Sequence, residues 1–178
     1  MGEGYNTGFA LKDHFSGPSA LCSVDSPVGE LVLLASVTGI TGVFFGQCSG
    51  CDGESDTGPA QEHLDAAALQ LDEYFAGKRQ AFHLPLDVTG TEFQQSVWQQ
   101  TQLIAFARTA AYGDIARNIG RPGATRAVGS ALGANPLPII IPCHRVIGAG
   151  GSLTGFSGGL GSKALLLGHE AGLAPKRQ

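Results

Sequence analysis

The 178-residue chain has no run of 18 or more apolar residues, which excludes an ordinary membrane-spanning helix. Its first residues, Met1 to Tyr5, carry no basic region followed by an apolar stretch. No secretory signal is therefore expected, and a cytoplasmic address follows. Charge is sparse at 15% of residues against 43% hydrophobic, the balance of a folded globular protein and not of a disordered one. Base is nearly missing from the first half, where residues 1–90 hold 12 of the 15 acids against Lys12, Lys78 and Arg79. Acid is nearly missing from the second, where Glu92, Asp114 and Glu170 face eight Lys and Arg. Such a split fits a polyanion-binding unit joined to a solvating one, and chance surface composition produces the same numbers. Cysteine is limited to Cys22, Cys48, Cys51 and Cys143. The Cys48-Ser49-Gly50-Cys51 spacing suits zinc only if two more ligands arrive, with His63 and His83 as candidates. A redox pair would need a βαβ context that the sequence does not offer. No metal and no cofactor are expected.

What is present reads as two units. Residues 1–19 lack a sustained period and form a leader. Short apolar runs at Ala20–Val24, Leu31–Ser36 and Ile40–Phe45, separated by Ser26-Pro27-Val28-Gly29 and Thr38-Gly39, predict an antiparallel meander. Leu64, Ala67, Ala68, Leu71 and Phe75 fall at helical spacing, so a helix is expected over 61–75, stopped by Gly77. Residues 81–88 look extended. Thr89-Gly90-Thr91 marks the boundary, giving an N-terminal α/β unit over 20–90 and a second unit over 91–172, with a tail at 173–178. In the second unit Thr91 caps a helix to about Leu103 with Phe93, Val97 and Trp98 inward. Short helices over 112–120 and 124–132, about the turn Arg121-Pro122-Gly123, have the form of a helix-turn-helix. A last helix is expected over 162–169.

The most informative stretch is Ile139-Ile140-Ile141-Pro142-Cys143-His144-Arg145-Val146-Ile147. Its β-branched start suits a buried strand that Pro142 terminates, leaving a thiol at the rim of a rigid element. Neighbouring groups there can favour the thiolate, the reactive form of cysteine. A structural Cys beside a salt-bridging Arg is the plainer reading of the pair alone. Downstream, glycines 148, 150, 151, 155, 158, 159 and 161 make a loop whose backbone can approach a flat ligand.

Taken together, Pro142-Cys143-His144-Arg145-Val146, Arg126-Ala127-Val128-Gly129, Asn135-Pro136 and Thr154-Gly155-Phe156-Ser157-Gly158-Gly159-Leu160 resemble the O6-alkylguanine-DNA alkyltransferases. Phe93-Gln94-Gln95-Ser96-Val97-Trp98, Tyr112-Gly113-Asp114-Ile115-Ala116, Lys163 and His169-Glu170 extend the likeness, as do the weaker matches at 26–29 and 71–77. About 150 of the 178 residues are covered. The resemblance implies an α/β fold: a small ribonuclease-H-like domain, then a mostly helical domain with a winged helix-turn-helix-like unit. It implies binding of duplex DNA through the minor groove, rotation of an O6-alkylguanine out of the stack, and irreversible, single-turnover transfer of its alkyl group to Cys143. His144 would act as base through a water, oriented by Glu170, and Asn135 would tie its turn to the reactive segment. Tyr112 would press on the 3′ phosphate and supply a proton to the departing base, and Arg126 would fill the gap in the duplex. Ala124, Thr125, Ala127 and Gly129 would line the DNA face, and Val146, Phe156, Ser157, Gly158 and Lys163 the base pocket. A monomer is implied.

Two departures from the family pattern stand out. Before Tyr112 the family usually reads Pro-x-Gly-(Glu/Thr)-Thr, whereas this chain has Ala105-Phe106-Ala107-Arg108-Thr109. A looser turn is expected, with Arg108 as an added phosphate contact. Phe156 replaces a frequent Tyr, removing a hydroxyl. Two other readings compete: a non-catalytic sensor of alkylated DNA, and a Cys-His hydrolase. The hydrolase is disfavoured because adjacent residues on an extended segment point to opposite sides.

Overall fold

The computed structural model describes residues 19–47 and 58–173. Cys48 and Cys51, the leader up to residue 18 and the tail from residue 174 lie outside them. Three strands, β1 (Ser19–Val24), β2 (Leu31–Ser36) and β3 (Ile40–Phe45), form an antiparallel sheet in the order β1-β2-β3. The meander is as expected. Gly29 closes the first turn at φ +99°, its N–H donating to the Ser26 carbonyl at 3.0 Å. Leu31 to Ala35 are buried without alternation, so the central strand is covered on both faces.

Helix α1 (Pro59–Phe75) packs over β1 and β2. It starts two residues earlier than the periodicity predicts, because Pro59 is pre-set for a first helical turn. Ala60, Leu64, Ala67, Leu71 and Tyr74 form its buried stripe. Each buried leucine contributes about 1.5–3 kcal/mol. The segment after it is extended but meets β3 at a single isolated bridge, Ile40 with Leu86. The Ile40 N–H donates to the Pro85 carbonyl and the Asp87 N–H to the Ile40 carbonyl, each at 2.9 Å. Further along the same edge, the Val43 N–H donates to the Pro136 carbonyl at 2.8 Å. The outer edge of β3 is thus occupied first by residues 85–87 and then by the second half of the chain.

Helix α2 (Glu92–Gln102) begins with a capping box: Thr91 Oγ1 accepts from the Gln94 N–H, and the Gln94 side chain accepts from the Thr91 N–H. Val97 and Trp98 are buried as expected, whereas Phe93 is only half-buried. Trp98 Nε1 donates to the Ala131 carbonyl at 2.8 Å, tying α2 to the helix that carries Ala131. Helices α3 (Tyr112–Asn118) and α4 (Thr125–Gly133) form the helix-turn-helix pair. Strands β4 (Ala110–Ala111) and β5 (Val146–Ile147) add a short parallel pair that sequence patterning does not show. The last helix, α5, runs over Gly159–Leu173, well beyond the expected 162–169. Its buried face carries Lys163, Leu166 and Glu170, so two charges interrupt the apolar period that would announce it. The buried apolar residues of both halves join in one cluster. No helix among the described residues is long and apolar enough to cross a membrane.

Candidate active site

Ile139–Ile141 is not the expected strand. The segment is a tight turn in which Ile139 sits at φ +76°, a left-handed conformation rare for a β-branched residue. Burial accounts for the sequence signal: all three isoleucines are in the core, and a strand pattern mimics that need. The turn is held by Asn135. Its Oδ1 accepts from the Leu137 N–H at 3.0 Å, and its Nδ2 donates to the Ile141 carbonyl at 3.0 Å and to Cys143 Sγ at 3.2 Å. The Ile141 N–H closes the loop on the Leu137 carbonyl at 2.8 Å. Pro142 then opens a single 3₁₀ turn, Cys143–Arg145. Cys143 and His144 therefore diverge about a helical turn and not across a strand, as the extended reading had it.

Cys143 is 6% exposed. Burial pushes its thiol up from the ordinary value. The Asn135 hydrogen bond, the Lys163 charge and the N–H groups of Cys143 and His144 pull the other way without prevailing. These polar neighbours favour the thiolate, but burial outweighs them and the resting group is a thiol. It needs a base, and His144 is fully buried beside Glu170, with Nε2 to Oε1 at 2.9 Å. Burial lowers the His144 pKa, Glu170 opposes this, and Arg145 and Lys163 lower it further, so the ring is neutral. A carboxylate only accepts, so Nε2 carries the proton and Nδ1 is left as acceptor. Nδ1 is also the buried side-chain nitrogen without a hydrogen-bond partner among the described residues. This is the arrangement of a base.

Burial alone would raise Glu170. Hydrogen bonds from His144 and Arg145, together with the Arg145 charge, outweigh it and hold the carboxyl down at about 2. Arg145 grips both oxygens, Nε at 3.1 and 3.0 Å and Nη2 at 2.8 Å, while its Nη1 donates to the Ile104 carbonyl at 2.7 Å. Tyr74 Oη donates to Oε1 and the Ala107 N–H to Oε2, both at 2.9 Å. The turn at 105–108 is thus anchored on the buried carboxylate. Ala107 adopts φ +57° there, where the family usually has glycine.

The remaining expected residues fall into two groups. Thr125, Arg126 and Ala127 are exposed on the first turn of α4, and Ala124 and Gly129 are half-buried on either side. Arg126, Arg108 and Arg121 are exposed with no ion-pair partner among the described residues, whereas Arg117 pairs with Asp114. Tyr112 lies against Gly129, where an added Cβ would touch its ring at 3.8 Å, and exchanges hydrogen bonds with Thr154. Phe156 stands edge-on to His144 at 6.3 Å and to Phe45 at 5.4 Å, and Ser157 is exposed beside it. Gly158 packs on Phe45 so closely that a Cβ would come within 2.7 Å of the ring. Lys163 is fully buried, and its ammonium donates to the Val146 and Thr154 carbonyls at 2.6 and 2.7 Å. It fastens the glycine-rich loop to β5.

Sequence reasoning had Arg145 as salt-bridging only in the plainer reading of the Cys-His pair, and it missed two further members of this network. Tyr74 reads as an ordinary core aromatic at helical spacing, and the Ala107 N–H leaves no trace in residue types. Among the described residues no group of three or more His, Cys, Asp or Glu is placed to hold a metal.

Comparison with known proteins agrees with this geometry. Residues 22–88 match the family described as 6-O-methylguanine DNA methyltransferase, ribonuclease-like domain, and residues 92–172 match its DNA binding domain. A methylated-DNA–protein-cysteine methyltransferase of Mycobacterium tuberculosis is 43% identical over 153 residues, 86% of this chain and 93% of the relative. One from Methanosarcina acetivorans is 44% identical over 144 residues, covering 80% and 92%. The solved M. tuberculosis O6-methylguanine methyltransferase superposes with a TM-score of 0.74 at 40% identity, covering 90% of this chain and 97% of that one. The M. tuberculosis OGT in complex with DNA gives 0.75 at 43% identity, covering 86% and 94%. A buried thiol with its base and carboxylate, set behind a helix-turn-helix and matched along nearly the whole of these relatives, places the chain in the O6-methylguanine DNA methyltransferase family.

Proposed function

We propose that this protein repairs DNA by direct reversal, taking the alkyl group from O6-alkylguanine in duplex DNA onto Cys143, once per molecule. The observation that carries the reading is the buried set Cys143, His144 and Glu170, in which His144 Nδ1 is an acceptor with no hydrogen-bond partner among the described residues. Exposed Arg126 and its neighbours on α4 support approach from the minor groove, with the damaged base rotated into the site. The Cys143 thiol proton passes through a water to His144 Nδ1, and Glu170 stabilises the resulting imidazolium. Sγ forms a bond to the alkyl carbon as the carbon–O6 bond breaks, and its electrons return to the guanine ring. Tyr112 gives a proton to the ring and is reprotonated from the imidazolium through water. The thiol proton thus ends on guanine and the thioether on the protein. Nucleophile, base and acid all come from the chain, so the chemistry needs no cofactor.

A monomer suffices for this chemistry. We place its work in the cytoplasm, where free thiols such as Cys143 stay reduced. A damage sensor has no use for a thiol held beside a base. The test is stoichiometric: incubate the protein with a duplex carrying one O6-methylguanine and record intact and peptide masses. One methyl group on Cys143, saturating at one per molecule, is expected. Binding without mass gain would sink the reading.

A further inference from the structure

Tyr74 lies on α1, in the half of the chain that carries neither the thiol nor the helix-turn-helix, yet its side chain ends on Glu170. The ring is fully buried among Phe75, Phe82, Phe106 and His169, with centroid separations of 5.1, 5.4, 6.2 and 5.1 Å. His169 Nε2 donates to the Tyr74 carbonyl at 2.8 Å, so backbone and side chain are both fixed to α5. Phenylalanine would fill the same space. The hydroxyl adds one thing only, a hydrogen bond of 2.9 Å to the oxygen that His144 also reaches. We propose that Tyr74 is a positioning residue of alkyl transfer, acting through Glu170 on the orientation and basicity of His144.

This inference rests on the alkyltransferase reading above. The groups facing Glu170 are Tyr74 from α1, His144 and Arg145 from the 3₁₀ turn, and the Ala107 N–H. Lys163 on α5 acts on His144 by its charge, and His169 faces Tyr74 instead. Each donor draws negative charge from the carboxylate and so weakens its hold on the His144 proton. Removing the hydroxyl returns that charge to His144. The ring then keeps its extra proton to higher pH and is a free base over a narrower range.

The experiment compares single-turnover methyl transfer by the wild type, Tyr74→Phe, Glu170→Gln and the double variant across neutral and mildly acidic pH. Tyr74→Phe is expected to move the acidic limb of the rate profile upward. A displacement of one pH unit slows transfer roughly tenfold below the limb. In the Glu170→Gln background the same change should cost nothing more, because its route of action is gone. An unchanged profile, or an equal loss in both backgrounds, would reduce Tyr74 to a packing residue. A Tyr74→Phe chain that no longer folds would overturn the proposal too, by making the hydroxyl a contact that holds the fold. A wild type that transfers no methyl group in this assay overturns the parent reading instead.

Discussion

Asn135 engages three partners with one side chain, and each of them shapes the turn that delivers Cys143. Asn135→Ala orphans the Leu137 N–H and the Ile141 carbonyl inside the core, at about 1–3 kcal/mol for each buried group left unpaired. Chemical denaturation should therefore show a fall of several kcal/mol, with methyl transfer lost alongside. Ala107 is the opposite case. Its φ of +57° costs an L-residue roughly 1–2 kcal/mol, which glycine does not pay. Ala107→Gly is expected to raise stability by about 1 kcal/mol and the melting midpoint by about 2–4 °C. An unchanged midpoint would mean that the turn relaxes in solution. At this scale the legible residues were those whose chemistry is unusual in its setting: a thiol after a proline, an imidazole next to it, an acid near the end of a basic half. Tyr74 was hidden because a phenol and a phenyl ring read alike in a buried stripe.

Among the elements, the glycine-rich loop is fixed from two sides, by Lys163 beneath it and by Phe45 against Gly158. Gly158→Ala drives a methyl group into the Phe45 ring, so the ring or the loop must move. We expect methyl transfer to fall by at least about tenfold, since small misplacements near a reacting centre are costly, while DNA affinity measured by fluorescence anisotropy holds. Equal rates would show that the loop adapts. Arg108 sits on the exposed side of the turn before α3. If it meets a phosphate, Arg108→Ala lowers the slope of log affinity against log salt by about 0.9. An unchanged slope would place it off the DNA. Elements were legible where burial and period agree, as in β1 to β3 and α1. They were obscured where they conflict. On α5 the core-facing positions are held by a lysine and a glutamate, and at 139–141 the core demands isoleucine from a chain that is turning.

For the molecule as a whole, acid is the expected weakness. Glu170 is held at about 2 against an ordinary 4.5, so the folded state resists the proton that the unfolded chain accepts. Its contribution is complete above about 4.5 and is lost as pH falls toward 2, on the order of 3 kcal/mol in all. His144 works in the same direction from higher pH, because the unfolded ring takes a proton near 6.5 while the buried one refuses it. Urea midpoints should therefore decline from neutrality downward, steepening below about 4.5. A flat profile to pH 3 would show that the network is not coupled to folding. The two-unit plan was legible from the turn residues Thr89-Gly90-Thr91. The way the halves share one core was not, because contacts between distant segments leave no local pattern. One such contact has a consequence for solubility. The Pro136 carbonyl, in the turn that presents Cys143, closes the outer edge of β3 at Val43, and Pro136 and Pro138 have no N–H to extend the ladder further. The reactive turn is therefore also a guard against edge-to-edge polymerisation, and a molecule that loses its shape there exposes a strand ready to recruit its neighbours.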